Sequence, residues 1–331
     1  MRPLRLALAL LVLAPASAAQ PALRDADRVR LAEAFRLADA VADGIWPGWG
    51  DVPFAILLVT PDHEYLVGHP SPSDDFAPVT AYDSLLAGPV VGRPRQFPPG
   101  LLATFPAVGG IPTVVVGTPE TTGLSSTFWV LTLLHEHLHQ LQMSQPGYYA
   151  QVAALDLAGG DESGMWMLTY PFPYDDAGVV ARVGAYRDAL VAALAGARGP
   201  DEASRLSDLR ASRTALRAAL SPADDRYLSF QMGQEGVARF TEHRVAEAAA
   251  ARHDPLSVFV ALPDAIPYAA AADTLRHALA REIAGLDLAA DQRVAFYPLG
   301  AVEALVLDAV RPAWRRGYLA APFDLSRALP P

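Results

Sequence analysis

Between Arg24 and Ala42 the apolar residues Leu31, Phe35, Leu37, Ala38 and Val41 recur at helical spacing, which predicts a short amphipathic helix ending at Gly44. The period then changes. Phe54-Ala55-Ile56-Leu57-Leu58-Val59 and Glu64-Tyr65-Leu66-Val67 are apolar runs on either side of the turn-forming Thr60-Pro61-Asp62-His63, so a β-hairpin is expected. Residues 69–112 carry so many prolines and glycines, as in Gly92-Arg93-Pro94-Arg95 and Phe97-Pro98-Pro99-Gly100, that they predict extended loop with little regular structure. A loop of that length is often functional. The β-branched run from Ile111 to Gly117 reads as one more strand with its proline near the start.

A helix is expected next, starting near Ser125 or Ser126, both good N-caps, and ending before Pro146-Gly147. From Phe128 to Leu134 it is apolar on nearly every face, the mark of a helix buried in the middle of a fold. Trp166, Tyr170, Phe172 and Tyr174 then cluster among prolines, a pattern read first as core packing and second as a substrate-lining loop. The rest predicts helices over Ala177–Ala197, Asp201–Leu220, Ser221 to about Arg252, Ala269–Ala284 and Ala295–Val310. Ser221-Pro222-Ala223-Asp224-Asp225 combines an N-cap, a proline at the first helical position and acids in the first turn.

Composition narrows the class. Hydrophobic residues are 52% of the 331 and charged residues 19%, which fits a folded body with a sizeable core. The formal net charge of -10 gives no electrostatic footprint for nucleic acid. At the N-terminus, Arg2 and Arg5 precede an apolar stretch from Leu6 to Leu13 and the small residues Ala16-Ser17-Ala18-Ala19. This is the layout of a secretory signal peptide over residues 1–19, cleaved after Ala18 or Ala19, and it implies a secreted or periplasmic protein. The apolar stretch is shorter than the roughly twenty residues a spanning helix needs, so no stable membrane anchor is expected after cleavage. With no cysteine, a lipidated cysteine and disulfides are both ruled out.

The chemistry concentrates in His135-Glu136-His137-Leu138-His139, which satisfies H-E-x-x-H on a predicted helix. Residues four apart share a helix face, so His135 and His139 can direct ring nitrogens at one metal ion. Glu136 sits where a carboxylate can take the proton of an attacking water and pass it to a leaving group. The bland alternative is a set of satisfied core histidines. His137 lies two positions from each partner and is assigned a structural or supporting role at most. A catalytic zinc usually takes three protein ligands, and no third histidine follows within the loop after His139, where Gln140 to Gly147 contain none. A downstream carboxylate is then the better candidate, in Gln234-Glu235-Gly236-Val237-Ala238-Arg239-Phe240-Thr241-Glu242, with Asp161 and Glu162 as runners-up more suited to a turn.

The pair HEHLH plus a later E-G-x-A-x-[FY]-x-E resembles the gluzincin metallopeptidases, the clan that includes thermolysin and the aminopeptidase N-like enzymes. The resemblance spans roughly residues 124–300 and implies that Glu235 is the third ligand of one Zn²⁺ per chain. The small residues after Glu235 would let its helix approach the motif helix closely. Glu242 would be either an acid orienting a ligand histidine or a solvated charge. Tyr297 falls at about the distance past the third ligand where related enzymes place a tyrosine that stabilises the oxyanion; a core tyrosine is the alternative, and His243, His277 and Arg244 are other donors to consider. The chain departs from the clan in three places. The interval from His139 to Glu235 is much longer, a G-x-M-E-N motif is missing from residues 100–125, and Arg239 stands where thermolysin-like sequences have an aspartate.

The expectation is therefore a helix-rich α+β gluzincin-like fold with a small N-terminal sheet. Residues 20–331 would form one domain, with an α/β part over 20–120 and a mainly helical part over 121–331 carrying the site. It would be a zinc hydrolase acting on a peptide or protein substrate, whose extended chain could pair with an edge strand. The alternatives are a zinc-bearing envelope binding or scaffold protein without turnover, and a hydrolase of other amides or esters.

Overall fold

The computed structural model describes residues 21–330, so the signal segment expected over 1–19 lies outside the described residues. Helix α1 spans Asp25–Ile45, with Asp25 and Asp27 in its first turn where the helix dipole favours negative charge. Its inner face carries charges as well as the apolar stripe. Arg30 reaches Asp27 and Ser126, and Glu33 accepts from Leu256 N and the Tyr268 hydroxyl and lies 2.8 Å from His253 Nε2. Buried charges persist only when paired, and these pairs fix α1 against distant segments.

Six strands form one mixed sheet: β1 Ile56–Val59, β2 His63–Val67, β3 Ala77–Asp83, β4 Gly88–Pro94, β5 Leu102–Val108 and β6 Ile111–Gly117, in the order β3-β4-β2-β1-β6-β5. The expected hairpin is β1 and β2, antiparallel from Ile56↔Val67 to Val59↔Glu64. The β1–β6 pair is parallel. Side chains alternate as the pleat requires. Ile56, Leu58, Val114 and Val116 join the main core, and Leu57, Val59, Leu66 and Val115 form a smaller cluster on the other face with Phe76 and Val108.

The loop expected over residues 69–112 is corrected, because β3, β4 and β5 all lie within it. The prolines that suggested loop occupy places where a strand tolerates them. Pro78 and Pro106 are on the two edge strands, where the register slips around each, and Pro89 and Pro94 sit at the ends of β4.

Helix α2, Ser126–Ser144, begins after its Ser125 N-cap as the sequence predicts. The cap hydrogen bond comes from elsewhere in the chain: Asp264 accepts from Ser126 N at 2.8 Å and from Ser126 Oγ at 2.7 Å. Trp129, Val130, Leu131, Leu133 and Leu134 are wholly buried. The remaining long helices are α3 Ala177–Gly196, α4 Glu202–Ala219, α5 Pro222–Gln231, α6 Val237–Arg252, α7 Tyr268–Ala284 and α8 Phe296–Val310. No helix among the described residues is long and apolar enough to cross a membrane. The stretch expected as one helix from Ser221 to Arg252 is α5 and α6 joined through a π-helical turn, Met232–Gly236. Helix α2 packs against α1, α6 and the β5–β6 edge of the sheet, and α8 packs along the π turn and α6. The aromatic cluster is core: Trp166 and Phe172 are buried, Tyr170 stacks on Tyr227 and Tyr174 on Phe296.

Candidate metal centre

The helical spacing of His135 and His139 puts the two rings 5.2 Å apart, centroid to centroid, on one face of α2. Donor atoms of His135, Glu136 and His139, all buried, lie within 4.8 Å of one another, a group able to hold a metal ion. Glu235 arrives from the π turn. Its Oε2 stands 3.5 Å from His139 Nε2 and 3.8 Å from His135 Nε2. Neighbouring ligands of a tetrahedral metal ion stand roughly 3.4 Å apart, and both of these distances are close to that, so the Glu235 carboxylate lies where it could join the two imidazoles around an ion. The electrostatics agree. Burial disfavours charge on both Glu235 and His139, but their mutual attraction outweighs it, holding the Glu235 carboxyl well below the usual range and raising His139 to about 9. Positive charge is thus favoured between the rings and the carboxylate.

The expected reason for the glycine after Glu235 needs correction. Gly236 does not make room for α2; a Cβ placed on it would stand 2.4 Å from Gly300 Cα, and one on Gly300 would stand 2.4 Å from Met232 O. The close approach is between the π turn and α8. It sets Glu235 beside the first turn of α8, where Tyr297 lies one turn before Gly300. Burial, and after it the charge of Glu235, push the Tyr297 phenol well above its usual range, and its oxygen accepts from Arg293 Nη1 at 2.7 Å. With that lone pair taken by Arg293, the hydroxyl keeps its own proton, which the nearby Glu235 carboxylate favours.

The tautomer of His139 follows from its neighbours. Gln142 Nε2 faces two oxygens, the carbonyl of Gln234 at 3.1 Å and the Tyr318 hydroxyl at 2.7 Å, and that hydroxyl donates to Gly233 O at 2.6 Å. A carbonyl can only accept, so the amide's nitrogen end is fixed there and its Oε1 must face His139 Nδ1, 2.7 Å away. His139 Nδ1 therefore carries a hydrogen, which leaves Nε2 as the nitrogen that faces the centre. The Gln234 amide nitrogen, 3.2 Å from the same Nδ1, is then a packing contact. Behind His135, the buried Glu242 places Oε2 3.9 Å from Nδ1 and accepts from Arg239 at 2.8 Å, so it is a sheltered charge beside that histidine. Glu136 is held from the sheet: Thr104 Oγ1 on β5 donates to its Oε2 at 2.7 Å and lies 3.0 Å from its backbone oxygen.

His137 faces away from the centre. Its ring stacks on Phe54 at 4.0 Å, contacts Gln140 Oε1 at 2.8 Å through Nδ1, and is pushed down to about 4 by burial. Asp161 caps its own turn through Ser163 N and Trp166 N. Among the other donors considered, His277 sits on the exposed side of α7 against Asp273 O, and Arg244 bridges Glu247 and Asp308. His243 is buried, with Nε2 lacking a partner among the described residues, and burial pushes it down to about 4. Sequence reasoning missed Gln142 and Thr104. The first had a signal, since it lies three residues after His139 on the same helix face; the second had none, being 32 residues from Glu136 in a stretch read as loop. Compared with protein-family models, with curated proteins and with solved structures, the chain matches none.

Proposed function

We propose that this chain is a zinc-dependent hydrolase that cleaves peptide bonds, exported by its N-terminal segment. The observation that carries the reading is the meeting of Glu235 with His135 and His139 beside a second carboxylate, Glu136, that Thr104 holds. Zinc bound there would polarise a substrate carbonyl and acidify a water. Glu136, oriented by Thr104, takes the proton of the attacking water and returns it to the leaving amine. The Tyr297 hydroxyl donates to the oxygen on which charge develops. What supports a peptide as substrate is the edge strand β5, which carries Thr104 and pairs on one side only, with β6. An extended chain can add to such an edge by main-chain hydrogen bonds.

The test is the Glu136→Gln protein. It keeps one zinc per chain by metal analysis and loses about 10²–10⁴-fold in turnover of a peptide found by library digestion with the wild type. Zinc retention with full activity would refute the mechanism. A zinc-loaded wild type that cleaves no peptide would refute the peptidase assignment.

A further inference from the structure

Among the described residues, the half-buried Arg210, Arg226 and Arg293 have no carboxylate within salt-bridge distance, and the first two donate to the Pro330 and Leu155 carbonyls instead. Arg213, Arg239 and Arg244 each meet a carboxylate, at 2.6–2.9 Å. Arg293 is half-buried, yet among the described residues no carboxylate lies within salt-bridge distance, and its one hydrogen bond goes to the Tyr297 hydroxyl. Its guanidinium carbon lies 5.6 Å from the centroid of that ring. A guanidinium has five N–H donors in a planar fork, so most of this one is unused beside the proposed oxyanion donor. The turn that delivers it is strained: Gln292, immediately before, is held at φ 49° and ψ −130°, a conformation L-residues rarely adopt. The surroundings add contrast, because the chain is acidic overall and Glu136, Glu235 and Glu242 all border the centre.

We propose that Arg293 is the anchor for a substrate carboxylate, so that the hydrolase acts on peptides carrying an anionic group close to the cleaved bond. The inference rests on the hydrolase reading and gives it a substrate class. A carboxylate would take two parallel N–H bonds from the fork while Nη1 keeps its contact with Tyr297. The group can be a free C-terminus or an acidic side chain.

Two matched peptide pairs separate these sources: one with a free C-terminus against its amide, and one blocked at both ends with internal Glu against Gln. The wild type is expected to favour one anionic member at least tenfold in kcat/KM. Arg293→Gln should abolish that ratio and Arg293→Lys should keep part of it, with zinc content and unfolding midpoint unchanged. A preference confined to the first pair assigns the chain end, and one confined to the second assigns a side chain. Loss of Tyr297 support would slow both members equally, so the ratio reports the anchor alone. A second arm measures binding of the same peptides to zinc-loaded Glu136→Gln protein by calorimetry. Arg293-dependent preference in binding, with no cleavage by the wild type, would keep the anchor and overturn the hydrolase. Equal handling of charged and neutral members in both arms would overturn the anchor.

Discussion

Adding one methyl group at Gly300 should weaken metal binding at a centre to which Gly300 contributes no atom. The Cβ of Gly300→Ala would stand 2.4 Å from Met232 O and 2.8 Å from Gly236 Cα, both backbone atoms that cannot rotate away. Ordinary contact between such atoms begins at about 3.5 Å, so α8 and the π turn must separate by roughly 1 Å. Overpacking of this kind costs about 1–3 kcal/mol. The π turn carries Glu235, whose Oε2 now lies 3.5 Å from His139 Nε2, and a displacement of that size carries it away from the histidines. Zinc affinity should fall by roughly ten- to a hundredfold, the loss typical when the support behind a ligand is removed. The assays are urea unfolding of the metal-free protein and competition for zinc against a chromophoric chelator. Gly184→Ala is the control: a Cβ there meets nothing within 4 Å, and replacing glycine inside α3 should stabilise by about 0.5–1 kcal/mol without touching zinc affinity. Wild-type zinc affinity in Gly300→Ala would refute the claim that the Gly236–Gly300 contact places Glu235.

Three further outcomes follow from single side chains. Gln142→Leu removes the acceptor of His139 Nδ1–H and should lower zinc affinity about ten- to a hundredfold in the same competition assay, whereas Gln142→Glu, which still accepts, should retain more of it. His137→Phe should leave zinc affinity within about threefold of wild type but cost about 1–3 kcal/mol in urea unfolding, because Gln140 Oε1 loses its partner. Burial raises Glu303 from 4.5 to about 7, so the folded chain holds a proton that the unfolded chain releases near 4.5. Its contribution to stability is fully present below pH 4.5 and is lost as pH rises to about 7. The fall amounts to about 3 kcal/mol, and Glu303→Gln should flatten that part of the stability–pH curve.

The sequence by itself determined the local elements. Six of the expected helices, the β1–β2 hairpin and strand β6 appear within a few residues of their expected bounds, because periodicity, caps and turn residues act between near neighbours. The convergence of His135 and His139 was legible for the same reason, since it depends only on a four-residue interval on one helix. Glu235 was expected from the resemblance of its surrounding motif and from no local rule, and its place beside the two histidines is read from the structure.

Tertiary structure decided what joins these pieces. Strands β3 and β5 were hidden because an edge strand accepts prolines that a central strand would not, and the inner strand β4 because its prolines fall at its ends; edge position and strand ends are properties of the sheet rather than of the segment. Thr104 reaches Glu136 only because β5 lies on the side of the sheet next to α2. Gly236 meets Gly300, and Glu235 meets the two histidines, through contacts between segments 64 to 100 residues apart. Such contacts leave no periodic trace in the chain. They exist because burying the helices against one another and against the sheet brings those backbones together, and the resulting distances are set by the fold as a whole.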